Sequence, residues 1–107
     1  MAAPATYSFC SESFYASYTS GNAQDPVIIN YPQPGMTVGV QLTISSGNGK
    51  VQATLDPVSM VINGTATYVD WPAGAVAATT QDGFEIIPTA LRCYRALGTV
   101  NMSVAVR

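Results

Sequence analysis

The stretch Met36–Asp56, MTVGVQLTISSGNGKVQATLD, carries the clearest structural signal in the chain. Met36, Val38, Val40, Leu42 and Ile44 fall on every second position, with Thr37, Gly39, Gln41 and Thr43 between them. A period of two is the repeat of a half-buried β-strand, whose successive side chains point to opposite faces. SSGNGK follows, a turn cluster whose Asn48-Gly49 pair suits positive φ. KVQATLD then resumes the alternation, placing Val51, Ala53 and Leu55 inward. Two amphipathic strands joined by such a turn predict a β-hairpin over Thr37–Asp56.

Working outward, the same pattern closes the chain. TALRCYRA, then LGT, then VNMSVAV predict a second hairpin, with Val100, Met102, Val104 and Val106 on one face and Gly98 supplying the turn. TYSFCSESFYASY is rich in aromatic and β-forming residues and predicts one long or two short strands. VIINY (Val27–Tyr31) reads as a short strand bounded by Pro26 and Pro32, TATYVDW as another, and GFEII leads into the last hairpin. No 3.6-residue period is sustained and no segment repeats. The prolines fall at predicted strand ends or in loops, where a missing N–H does no harm. The expected fold is therefore all-β: a single antiparallel β-sandwich or jelly roll of about seven to eight short strands. A chain of 107 residues is one domain by length. We expect residues 1–6 to form a flexible arm and residues 7–107 the sandwich.

Charged residues make up only 9% of the chain, against about 25% in average soluble proteins. Surface charge normally keeps a free monomer apart from its neighbours. The deficit points to a surface largely occupied by partner subunits. Four cations stand against six acids, for a net charge of −2. With no basic cluster, direct nucleic-acid binding has no electrostatic source. No apolar run approaches the length of a membrane span. MAAPATYSFCSES lacks the charged and apolar regions of a secretory signal, so synthesis in a cytoplasm is expected, with Cys10 and Cys93 reduced. A Cys10–Cys93 disulfide is the alternative if the mature protein leaves the cell.

The chain has no histidine. That removes the commonest general base, the usual activator of Ser and Cys nucleophiles, and the commonest metal ligand. Two cysteines without histidine cannot build a structural zinc site in one chain. Cys93 lies between Arg92 and Arg95, which could lower its pKa, but alternation places it with Leu91 on the face opposite Arg92. Among the carboxylates, Asp25-Pro26, Asp56-Pro57 and Asp82-Gly83 have turn chemistry. Glu12, Asp70 and Glu85 remain, with no spacing that links them. Neither a catalytic set, a cofactor nor a metal is expected. In TATYVDWP, alternation sends Asp70 and Trp71 to opposite sides, so Trp71 reads as a core or interface anchor near a strand end. The aromatics Phe14, Tyr15, Tyr18, Tyr31, Tyr68, Trp71 and Tyr94 offer material for protein contacts or a sugar platform.

VQATLDP, then INGTATYVDWP, then TTQDGFEIIPTALRCYRALGTVNMSVAV form an ordered series over residues 51–106. Its elements fall on Val51, Gln52, Thr54, Asp56, Pro57, Ala66, Thr67, Tyr68, Pro72, Thr79, Gly83, Pro88, Ala90 and Arg92. The series resembles a group of small tailed-bacteriophage virion proteins that includes capsid decoration, or cement, proteins. It departs from their pattern at Cys93 and in its low count of charges. The resemblance implies a small sandwich on the virion's capsid surface, synthesised in the host bacterial cytoplasm. It would bind the major capsid protein and copies of itself, as a dimer or trimer, and hold coat subunits together. Contacts are expected from residues 1–8 and the Phe14–Tyr18 segment, with Pro4, Tyr7, Phe14, Tyr15, Tyr18 and Trp71 as interface residues. The alternatives are a glycan-binding module and a tail or head-completion component.

Overall fold

The computed structural model describes residues 7–29, 35, 37–84 and 86–106. The expected N-terminal arm, together with Pro4, Met36 and Glu85, lies outside the described residues. In chain order the elements are β1 (Ser8–Cys10), β2 (Ser13–Tyr18), β3 (Val27–Ile29), β4 (Val38–Ile44), β5 (Asn48–Thr54), α1 (Val58–Asn63), β6 (Val69–Asp70), β7 (Thr80–Gly83), β8 (Ala90–Leu97) and β9 (Val100–Val106). They form an all-β sandwich. One sheet has the order β1-β3-β8-β5-β6 and the other β2-β9-β4-β7. Every pairing is antiparallel except β1 with β3. That pair runs parallel because the chain visits the other sheet as β2 in between.

The expected core faces of the long strands are buried. Val38, Val40 and Leu42 of β4 meet Val100, Met102, Val104 and Val106 of β9 in one continuous core with Val27, Ile29, Val51, Leu91 and Cys93. Each such aliphatic side chain removed from water contributes about 1.5–3 kcal/mol. The strands alternate because each sheet has one dry and one wet face.

Both expected hairpins are corrected. β4 pairs with β9 and β7, while β5 pairs with β8 and β6, so the 45–47 turn crosses from one sheet to the other. The Gly98-Thr99 turn does the same between β8 and β9. The strands on either side of each turn face each other across the core instead of bonding edge to edge. The two crossings lie against each other, and their hydrogen bonds run between turns: Ser45 N–H donates to Thr99 O at 3.1 Å, and Thr99 N–H to Ser46 Oγ at 3.1 Å. Gly47 and Gly98 have φ of 77° and 80°. A Cβ at Gly47 would overlap the Leu97 carbonyl, and one at Gly98 would overlap Ser46 O. The positive-φ glycine of this turn is thus Gly47, while Asn48 and Gly49 belong to β5. Arg95 ties the second crossing down, donating from Nε to Gly98 O and from Nη1 to Gly21 O.

Three further segments differ from expectation. PVSM-VIN forms the short helix α1, entered at Pro57 and ended by Gly64 at φ 75°. Pro at the start costs no intrahelical bond, and glycine adopts the left-handed cap without strain. Six residues are too few for a helical period to show. Val61 and Ile62 of α1 pack on Ile28 and Ala90, sealing one end of the outer face of the five-stranded sheet. TATYVDW contributes only Val69–Asp70 to a strand, since Thr65 bonds Met60 O of α1 and Thr67 N–H donates to the Asp56 carboxylate instead of to a neighbouring strand. Leu55, expected inward, is exposed, while Thr54 is buried, because the chain leaves the ladder after Thr54.

Candidate functional site

Two of the described carboxylates serve the fold. Asp56 Oδ2 accepts from Thr67 N–H at 2.7 Å, and Asp82 Oδ1 from Gly83 N–H at 2.8 Å. Both cysteines are free thiols in the core. Burial pushes the Cys93 thiol up to about 12, the opposite of an activated nucleophile. Among the described residues no group of three or more Cys, Asp or Glu side chains is placed to hold a metal ion. No helix among them is long and apolar enough to cross a membrane.

The outer face of the five-stranded sheet carries a cross-strand polar network. Lys50 and Gln52 of β5 lie opposite Tyr94 and Arg92 of β8, and Gln52 also lies opposite Asp70 of β6. Lys50 Nζ bonds Asp70 Oδ2 at 3.1 Å, Gln52 Nε2 donates to Asp70 Oδ1 at 3.1 Å, and Arg92 Nε donates to Gln52 Oε1 at 2.8 Å. Arg92 also stacks 4.0 Å over the Tyr68 ring, and Lys50 lies 5.3 Å over Tyr94. The Gln52 and Lys50 bonds hold the Asp70 carboxyl below the usual range. Both cations are engaged within the network, Lys50 by the Asp70 carboxylate and Arg92 by the neutral Gln52 and Tyr68, and the bonds to Asp70 pin the short edge strand β6.

The outer face of the four-stranded sheet has a different chemistry. Register places Ser13, Ala105, Gly39 and Gly83 side by side across β2, β9, β4 and β7. The adjoining row is Tyr15, Ser103, Gln41 and Gln81. The small row forms the floor of an open trench, with the larger row along its flank. Gln81 Nε2 donates to Gln41 Oε1, and Gln41 Nε2 to Thr43 Oγ1 at 3.1 Å. Neither row holds a charged residue.

A third surface lies where the edge strands β6 and β7 stand above one another. Leu55, Val69, Pro72, Phe84, Ile86 and Pro88 line a mostly apolar hollow there, with Asp56 and Asp70 also in its lining. Val69 and Ile86 are each 67% exposed and Leu55 64%. Single exposed aliphatics are ordinary, but a contiguous group marks an interaction site.

The structure separates the interface residues expected from sequence. Tyr7 packs edge-to-face on Phe9 at the β1 edge, ring centroids 5.5 Å apart. Phe14 and Tyr18 pack inward against the core. Burial raises the Tyr18 hydroxyl to about 12, with Cys93 and Asp25 adding to the shift. Tyr15 stands out from the sheet at 64% exposure. Trp71 is 2% exposed, with its indole N–H donated to Gly74 O, so it is a core residue instead of a contact residue on the surface. Sequence reasoning did not single out Gln41 and Gln81, whose signal was their outward phase in alternating strands. Nor did it find the Leu55–Ile86 hollow, which joins segments about thirty residues apart.

No family model, curated protein or solved structure matches the chain.

Proposed function

We propose that the chain is a non-catalytic structural module that docks on other proteins. In specific form it is a virion protein of the capsid-decoration kind, bound to the outside of the shell across neighbouring coat subunits. The observation that carries this reading is the apolar hollow of Leu55, Val69, Phe84 and Ile86 beside an edge strand, on a chain only 9% charged. Interface cores are depleted in charge and built from such apolar groups. An edge strand adds main-chain hydrogen bonds when an extended segment joins it. The ordered resemblance over residues 51–106 supports the virion form of the reading.

Avidity supplies the mechanism. Each contact can be modest, because attachment to an ordered lattice raises the effective concentration of the next one. Binding the mature shell in preference to its precursor stabilises the mature state by mass action. The test is the copy number of this chain in purified particles, with Val69→Asp and Ile86→Asp introduced together. Decoration predicts a count near that of the coat subunit, and loss of the chain from particles carrying the double variant. A few copies confined to one vertex would assign it to the tail or portal and overturn the decoration form.

A further inference from the structure

We propose that the trench across the four-stranded sheet is a binding site for a neutral oligosaccharide. The first observation is its shape. Ser13, Ala105, Gly39 and Gly83 are cross-strand neighbours, so the floor crosses four strands, about 14 Å between the outer two. Two of these positions have no side chain, and the flank of Tyr15, Ser103, Gln41 and Gln81 stands above them.

The second observation concerns Gly39, which sits inside β4, where glycine weakens a strand by about 0.5–1 kcal/mol relative to alanine. No positive φ requires glycine there. Packing does not require it either, since a Cβ at this position would meet nothing within 4 Å. Gly39 keeps unbroken register with β9, so it makes no bulge, and close approach of a ligand or another backbone is a further use of a strand-interior glycine. Gly47 and Gly98 provide the contrast, for there the fold itself demands glycine.

The third observation is chemical. Among the described residues the trench lining includes one carboxylate, Asp82, whose Oδ1 accepts from Gly83 N–H, and no cation. Phosphates, nucleic acids and acidic peptides therefore find no counter-charge among these residues. What the lining offers is an aromatic face and uncharged groups that donate and accept. Tyr15, held on a strand and 64% exposed, presents a rigid ring to the C–H face of a sugar. Gln41 and Gln81 carry amide donors and acceptors, set in place by their mutual bond and by Thr43, which match hydroxyls that both donate and accept. The seryl hydroxyls of Ser13 and Ser103 extend the same pattern. This site shares only Gly83 with the apolar hollow, and either proposal can fail without the other.

The full chain, isotopically labelled for amide NMR, is titrated with cellotetraose, chitotetraose and maltotetraose. At least one probe is expected to shift the Gly39, Gln41, Gly83 and Ala105 amides. Tyr15→Ala should weaken that binding at least tenfold. Gly39→Val should block it while keeping a dispersed spectrum and wild-type or higher stability, which separates loss of binding from loss of fold. No shift with any of the three probes overturns the proposal. So does a shift map centred elsewhere, or binding that survives Gly39→Val. Loss of particle binding in Gly39→Val, with no sugar shifting any amide, would put a protein in the trench and overturn it equally.

Discussion

Substituting alanine at Gly98, Gly74 and Gly39 separates two physical causes that glycine positions often mix. Gly98 has φ 80° and Gly74 φ 69°, whereas Gly39 lies in ordinary strand conformation. Left-handed backbone costs a residue with a Cβ about 1–2 kcal/mol. At Gly74 that is the whole penalty, because no atom lies within 4 Å of the added carbon. At Gly98 the carbon would also overlap Ser46 O and approach Gly47 N in the facing crossing. Backbone atoms cannot swing aside like a side chain, so the two crossings must separate, at about 1–3 kcal/mol more. The expected losses are about 2–5 kcal/mol for Gly98→Ala and about 1–2 for Gly74→Ala. Gly39→Ala should gain up to about 1 kcal/mol. Equilibrium urea unfolding followed by Trp71 fluorescence measures all three, since the buried indole becomes exposed. With a slope of about 1–3 kcal/mol per molar urea, these differences move the midpoint by readable amounts. Gly98→Ala unfolding at the same midpoint as Gly74→Ala would refute the claim that the crossings are pressed together.

Trp71→Ala should cost about 3–5 kcal/mol, read as a fall in thermal midpoint, because the indole fills the core and bonds Gly74 O; an unchanged midpoint would contradict its burial. Stability should fall as pH rises from 9 toward 12, since Cys93 moves from 9.0 to about 12 and Tyr18 from 10.0 to about 12 on folding. Both groups are neutral in either state below their unfolded values. Above those values the unfolded chain alone releases protons, so the contribution is full at pH 8 and lost as the folded values are reached. Urea midpoints at pH 8, 9.5 and 10.5 test the sign, and Cys93→Ala should flatten the slope. Asp70→Asn should change stability by less than about 1 kcal/mol, because exposed ion pairs contribute little; a larger loss in urea unfolding would mean that the Lys50–Asp70 pair does more than pin β6.

Alternation settled which residues of β4 and β9 face the core, because a period of two leaves an amphipathic strand one way to bury its apolar side. It settled Cys93 against Arg92 for the same reason, and the missing histidine and scarce charges limited the chemistry before any fold was known. Alternation says nothing about which strand lies beside which. The 45–47 and 98–99 turns read as hairpins, yet two amphipathic strands joined by a short turn can also face each other across a core. Only the second crossing, whose Thr99 bonds Ser45 and Ser46, shows which arrangement holds. The trench and the hollow were illegible for a related reason. Gly39 and Gly83, or Leu55 and Ile86, become neighbours through pairing and crossing, and no local pattern encodes a distance in space. Trp71 shows the division in one residue: its type and strand-end position were plain in the sequence, but its burial depended on the sheet that closes over it.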